Sequence, residues 1–260
     1  MALESFNCMD GDKSTNTKQV DYKAEATEAR KKVLELIYKA QTSHIGSNFS
    51  CIDILTVLFE KIDLDKDKFI LSAGWKAASL YYFLWKKGRI TEDELNSYCQ
   101  EGSKFIGLAE PFHKDIPFAG GSMGMGFPAA VGFALAKKLK GEEGKVYCLM
   151  SDGEMQCGTF WEARLLANKY QLDNLLVIVD FNGLQAMGNV IDILPLDVYN
   201  LIPFDGHNYE EIEATLKQHG IRPAVTTKGK GVSFMENNNL YHYKAPSEEE
   251  YLKAKEELHG

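Results

Sequence analysis

The chain has 260 residues, of which 45% are hydrophobic and 25% charged, with a formal net charge of −8 at pH 7. That length suits one large α/β domain with a full core, and the acidic balance, with no long basic run, argues against nucleic acid as the main partner. No apolar run approaches the roughly 20 residues of a membrane span. Five cysteines (Cys8, Cys51, Cys99, Cys148, Cys157) are scattered without a CxxC pair, which reads as reduced thiols in a cytoplasmic protein.

The opening MALESFNCMDGDKSTNTK is polar and lacks a signal-peptide pattern, so residues 1–21 read as a flexible leader before a single domain over 22–260. From Tyr22 to Gln41 the apolar residues fall at helical spacing. SHIGSNFS then reads as a Gly/Ser turn, CIDILTVLFEKI as a buried helix and DKFILS as a short strand. WKAASLYYFLWKKG is a helix closed by Gly88, and Thr91 with Glu94 forms a capping-box pattern for the next. The glycine-rich FAGGSMGMG reads as a loop, and the small-residue stretch after it as a closely packing helix.

KVYCLM and NLLVIVD are almost wholly apolar strands with a helix between them. Such runs belong to a sheet covered on both faces, hence a βαβ unit with parallel strands. YEEIEATLKQHG adds a helix, PAVTTK a strand and SEEEYLKAKEEL a polar terminal helix. Strands and helices alternate with no internal repeat. The fold class is α/β: one doubly wound, mostly parallel sheet with helices on both faces.

In such sheets ligands bind beyond the carboxyl ends of the strands. Asp152 follows KVYCLM and Asn182 stands beyond NLLVIV, 30 residues later. If those strands are neighbours, both side chains face one crevice. A carboxylate, an amide oxygen and a nearby backbone carbonyl are hard ligands suited to Mg²⁺ or Ca²⁺, with phosphate oxygens completing the shell. Gly153 allows close backbone approach to a phosphate, and the helix after it offers N-terminal amides. Equally, Asp152 could cap that helix and Asn182-Gly183 could be a plain turn; the pair alone does not decide.

The run SDGEMQCGTFWEARLLANKYQLDNLLVIVDFNG resembles the thiamine diphosphate signature, GDG followed some 25 to 30 residues later by Asn. SHIGSNFSCIDILTVLF, FILSAGW, GGSMGMG, VIVDFNGLQ, DGHNYEEI and TTKGKGVSFMENNNLYHYKAP follow, in order, landmarks of the N-terminal domain of the transketolase family. The resemblance covers residues 22 to about 250. It implies that Asp152, Asn182 and the Leu184 carbonyl hold the metal. Gly153 and His242 would contact the diphosphate, while Gly121 and Met123 would line the aminopyrimidine. His44 matches the family's first active-site histidine, near the substrate, and His113 loosely matches a second in a shortened loop.

In the resembled family a glutamate from a second, pyrimidine-binding domain activates the cofactor. This sequence stops after the first domain, so the resemblance implies the N-terminal subunit of a split transketolase. A C-terminal partner subunit would complete the site in an α2β2 assembly acting on sugars or sugar phosphates. Four positions depart from the family pattern. Ser151 replaces the first glycine of GDG, Trp75 a diphosphate-contacting histidine, Tyr243 the glycine of WHGKAP, and Cys157 a glutamate of an acidic network between cofactor sites.

A thiol with a reference pKa of roughly 8.5 is a poor proton relay at neutral pH but packs well, so Cys157 reads as a packing residue. Three functions stay open: ketol transfer from ketose to aldose, a thiamine diphosphate-dependent carboligation of a different substrate, and a non-catalytic homologue with a decayed site.

Overall fold

The computed structural model describes residues 20–193 and 196–260. Residues 1–19 of the expected leader lie outside the described residues. Helix α1 (Tyr22–Ala40) begins at the expected boundary because the Asp21 carboxylate accepts the Ala24 N–H at 3.0 Å. Its buried stripe (Ala26, Ala29, Val33, Ile37) follows helical spacing. SHIGSNFS is not a turn throughout: Ile45–Ser50 form a short helix, α2, entered through His44 at φ 69°. All six of its residues are buried, so it carries no amphipathic period by which sequence could reveal it.

Helix α3 (Ile52–Lys61) leads to strand β1 (Lys68–Leu71), and α4 (Ala77–Lys86) follows after a 3-10 turn at Gly74–Lys76. The capping box of Thr91 and Glu94 starts α5 (Glu92–Asn96). Next come α6 (Gly126–Lys140), β2 (Val146–Ser151), α7 (Gly158–Lys169) and β3 (Leu175–Phe181). A small hairpin of β4 (Leu184–Gln185) and β5 (Gly188–Asn189) precedes β6 (Phe204–Asp205), α8 (Tyr209–Leu216), β7 (Gly220–Val225) and α9 (Glu248–His259).

The main sheet has five strands in the order β1-β2-β3-β7-β6, and every pair is parallel. Strands β2 and β3 are buried along their whole length because both faces are covered. Leu149, Leu176 and Ile178 enter a core with α1, α3 and α4, while Cys148, Met150, Val177 and Val179 enter another with α6 and α7. Each fully buried aliphatic side chain contributes roughly 1.5–3 kcal/mol, which fixes the pleat and therefore the register.

PAVTTK splits. Strand β7 starts earlier, at Gly220, and ends at Val225. Thr226 leaves the ladder because its hydroxyl bonds to the Asp180 carboxylate, although its N–H still donates to the Phe181 carbonyl at 3.0 Å. The terminal helix is less polar in function than in composition: Ala254 and Leu258 are buried, and Tyr251 stacks on Tyr38 of α1 at 4.1 Å. Among the described residues no helix is long and apolar enough to cross a membrane.

Candidate functional site

The carboxyl ends of β2 and β3 are adjacent, with Ser151 paired to Asp180. Asp152 is 1% exposed; its Oδ1 accepts the Gly153 N–H at 2.8 Å and its Oδ2 the Gly183 N–H at 2.7 Å. One carboxylate thus ties the two strand ends together. Burial and then the neighbouring Asp180 push its carboxyl up to about 7, against those two amides and Lys76. A cation placed there would relieve that cost. Asn182 lies beside it: Oδ1 accepts the Leu184 N–H at 3.2 Å and Nδ2 donates to Asp180 at 3.3 Å.

The helix expected directly after Gly153 is displaced. A 3-10 turn (Gly153–Gln156) intervenes, and α7 starts only at Gly158. Glu154, inside that turn, is the reason. It is fully buried and accepts the Ser151 N–H at 2.7 Å, the Gly124 N–H at 3.0 Å and the Ser151 and Ser72 hydroxyls. It therefore ties the strand end to the glycine loop and satisfies the hydroxyl that Ser151 adds.

The loop 120–125 forms the facing wall. A Cβ on Gly120 would lie 2.2 Å from the Leu71 carbonyl, so only glycine lets this loop rest on the end of β1. A cleft of about 610 Å³ results. It is lined by Gly121 and Met123 on this wall, Asp152, Gly153, Asn182 and Leu184 on the floor, and His44 and His242 opposite. Eight of the expected cofactor, metal and catalytic residues meet there, together with the four departures Trp75, Ser151, Cys157 and Tyr243. His113 does not: its Nδ1 accepts the Asp115 N–H at 3.2 Å, and it is not among the lining residues.

The two cleft histidines share one corner. The His44 backbone N–H donates to the His242 carbonyl at 3.0 Å and the ring centres are 5.2 Å apart. Burial, followed by the Lys228 charge, lowers each to about 4. The Lys228 amine lies 2.8 Å from His242 Nδ1, which puts the proton of the neutral ring on Nε2. Lys228 itself is held down to about 8 by burial and then by Lys76. Trp75 and Tyr243 stand on either side of His44 at centroid distances of 6.2 and 5.7 Å, and Tyr243 is largely exposed at the mouth. Cys157 lines the cleft too, half-buried against Gly124, and burial pushes its thiol up.

Four residues escaped the sequence reading. Lys76 and Asp180 are buried and ion-paired, Lys228 reaches the Leu184 carbonyl at 3.5 Å, and Gln185 has a buried Nε2 with no hydrogen-bond partner. A charge inside an apolar run is the available signal for the first two: Lys76 in WKAASLYYFL and Asp180 in LLVIVDF.

The residues present fit a metal-bound diphosphate. The Asp152 carboxylate, the Asn182 Oδ1 and the Leu184 carbonyl form a hard oxygen set, and Gln185 Nε2 is a free donor beside it. Among the described residues no three His, Cys, Asp or Glu side chains form a metal cage.

Residues 22–228 match the family described as transketolase, thiamine diphosphate binding domain. The chain belongs to the transketolase family. It is 32% identical to an apulose-4-phosphate transketolase subunit of Phocaeicola vulgatus, over 88% of this chain and 90% of the relative. A 6-deoxy-6-sulfo-D-fructose transketolase subunit of Clostridium sp. is also 32% identical, over 92% of this chain and 97% of its own length. Human transketolase is 32% identical over 79% of this chain, but the match spans only 37% of the human protein. In structure, the transketolase of Campylobacter jejuni superimposes with a TM-score of 0.86 at 29% identity, covering 92% of this chain and 43% of that one. This chain is thus a transketolase-type thiamine diphosphate-binding domain, and it matches the two bacterial subunits over nearly their whole length.

Proposed function

We propose that this chain is the N-terminal subunit of a split transketolase. With a C-terminal subunit carrying the pyrimidine-binding domain, it transfers a glycolaldehyde unit from a ketose to an aldose, using thiamine diphosphate and Mg²⁺ or Ca²⁺. The observation that carries this reading is the convergence of Asp152 and Asn182, just beyond adjacent strand ends, with Leu184 of the following hairpin in the lining of one cleft shared with the glycine loop.

When bound, the cofactor supplies a carbanion equivalent that accepts and returns the ketol fragment. Asp152, Asn182 Oδ1 and the Leu184 carbonyl would hold the metal. Gly153 would give the diphosphate close backbone approach, while Gly121 and Met123 would line the aminopyrimidine. His44 and His242, neutral and paired in one corner, are placed to accept or donate a proton at a substrate hydroxyl; His242 presents Nε2–H because Lys228 occupies Nδ1. His113, which accepts the Asp115 N–H, lies outside this cleft and is given no role in it.

Trp75 and Tyr243 bring aromatic rings beside His44 in the cleft lining, and these departures from the family pattern favour a specialised sugar or sugar phosphate over a broad substrate range. Free cysteines at 51, 99, 148 and 157 support a reducing, cytoplasmic compartment. Assembly as α2β2 follows from the same reading.

Calorimetry with thiamine diphosphate and Mg²⁺ in the presence of the C-terminal subunit tests the binding half. We expect saturable, metal-dependent binding that Asp152→Ala abolishes; no binding to the wild type leaves the non-catalytic alternative. Reconstitution with the C-terminal subunit and a ketose–aldose panel tests the reaction, and carboligation of 2-oxo acids without ketol transfer would refute it.

A further inference from the structure

Under the diphosphate end of the cleft lies a cation that no motif of the sequence announces. Lys76 follows Trp75 at the start of α4, is completely buried and contributes to the cleft floor. Its ammonium pairs with Asp180, which is also completely buried. Asp180 is well supplied without it: the Ser50 hydroxyl donates at 2.5 Å, Asn182 Nδ2 at 3.3 Å, and the Thr226 hydroxyl to the other oxygen.

A buried ion pair is a weak source of stability, because desolvation offsets most of the attraction and an apolar pair of similar volume does as well. The placement of this one therefore calls for another cause. Asp152 lines the cleft above while Asp180 is buried behind the lining, and a diphosphate would bring further negative charge to the same end. Trp75, immediately before Lys76, offers only an indole N–H and an apolar ring to that end.

We propose that Lys76 is a cofactor-anchoring residue: its fixed positive charge beneath the cleft floor attracts the diphosphate and lessens the dependence of binding on the divalent metal. The inference rests on the cofactor reading above. It assigns Lys76 a task beyond neutralising Asp180, and it explains why a full ammonium is kept in a dry site.

The test is calorimetric titration of the whole chain with inorganic pyrophosphate and with thiamine diphosphate, at several Mg²⁺ concentrations. Wild type is compared with Lys76→Met, Lys76→Gln and Asp180→Asn, each first shown to melt cooperatively. Glutamine keeps a donor for Asp180 without the charge, and stands in should the methionine variant not fold. Removing the charge weakens both probes by at least about tenfold and steepens the Mg²⁺ dependence. Asp180→Asn, which leaves the lysine uncompensated, binds as tightly as wild type or tighter. Lys76→Gln binding like wild type, or Asp180→Asn weakening as much as Lys76→Met, overturns the proposal and leaves Lys76 a structural partner. Failure of the wild type, titrated together with the C-terminal subunit, to bind either probe at any Mg²⁺ concentration overturns the cofactor reading itself.

Discussion

Asp53 joins four parts of the chain that the cleft depends on. Its carboxylate accepts two bonds from Arg30 of α1 (3.0 and 2.7 Å), one from the Tyr209 hydroxyl (3.0 Å) and one from His207 Nδ1 (2.7 Å). His207 Nε2 in turn accepts the Thr227 N–H at 2.8 Å, so the ring carries its proton on Nδ1 and the segment leading to Lys228 is held in place. Burial acts to raise the Asp53 carboxyl, but the His207 hydrogen bond and the Arg30 charge outweigh it and hold the carboxyl at about 2, against an ordinary 3.8.

At roughly 1.4 kcal/mol per pH unit, that difference is worth about 2 kcal/mol. Asp53→Asn also leaves Arg30, only 6% exposed, as an unpaired buried cation, a loss of about 3–5 kcal/mol at pH 7. The folded-state value is depressed. The ionised carboxylate therefore contributes fully above about pH 4, and its contribution disappears as pH falls toward 2. Urea unfolding followed by circular dichroism at pH 7, 4, 3 and 2 reads both effects. The wild-type advantage should shrink by about 2 kcal/mol between pH 4 and 2. An Asp53→Asn protein within about 1 kcal/mol of wild type at pH 7, or a gap that ignores pH, refutes the reasoning.

Two glycines separate space from conformation: Gly120→Ala, whose Cβ would meet the Leu71 carbonyl, should cost at least about 1–3 kcal/mol and weaken cofactor binding. Gly132→Ala, exposed inside α6 with nothing within 4 Å of the new Cβ, should instead gain roughly 0.5–1 kcal/mol, both read by the same urea unfolding. His44 and His242 are both lowered to about 4, so their imidazole signals should stay those of neutral rings from pH 8 to 5.5. Their contribution to stability is complete above the ordinary 6.5 and declines as pH falls to about 4; a ring titrating near 6.5 would contradict the burial argument. Cys157 should alkylate slowly at pH 7, faster above pH 9, and be protected by thiamine diphosphate with Mg²⁺; mass spectrometry showing rapid labelling at pH 7 would contradict a packing role.

Much of the sheet was legible because β2 and β3 are apolar on both faces, a pattern that only a covered parallel sheet explains. The pairing of Asp152 with Asn182 followed from their places after those strands. Helix α2 was not legible, since complete burial erases the amphipathic period. Strands β4, β5 and β6, of two residues each, are too short to carry any period. The displaced helix after Gly153 depended on Glu154 finding donors from residues as distant as Ser72 and Gly124, a tertiary fact. The place of His113 outside the cleft was illegible for the same kind of reason: its ring accepts a local bond from the Asp115 N–H. Lys228, in the polar TTKGKG, looks like an ordinary surface lysine until the fold closes over it.

The parallel ladder that pairs Ser151 with Asp180 has a bearing on how this chain tolerates insertions and deletions. The donor set of the floor is indexed by that ladder, not by the connection between the strands. Lengthening the turn between α7 and β3 leaves Asp152 and Asn182 where they are. Inserting a single residue within Leu175–Phe181 turns every following side chain to the opposite face and dismantles the floor without removing one of its ligands. Length variants on either side of that boundary would have opposite fates: intact binding in one, a folded but blind domain in the other.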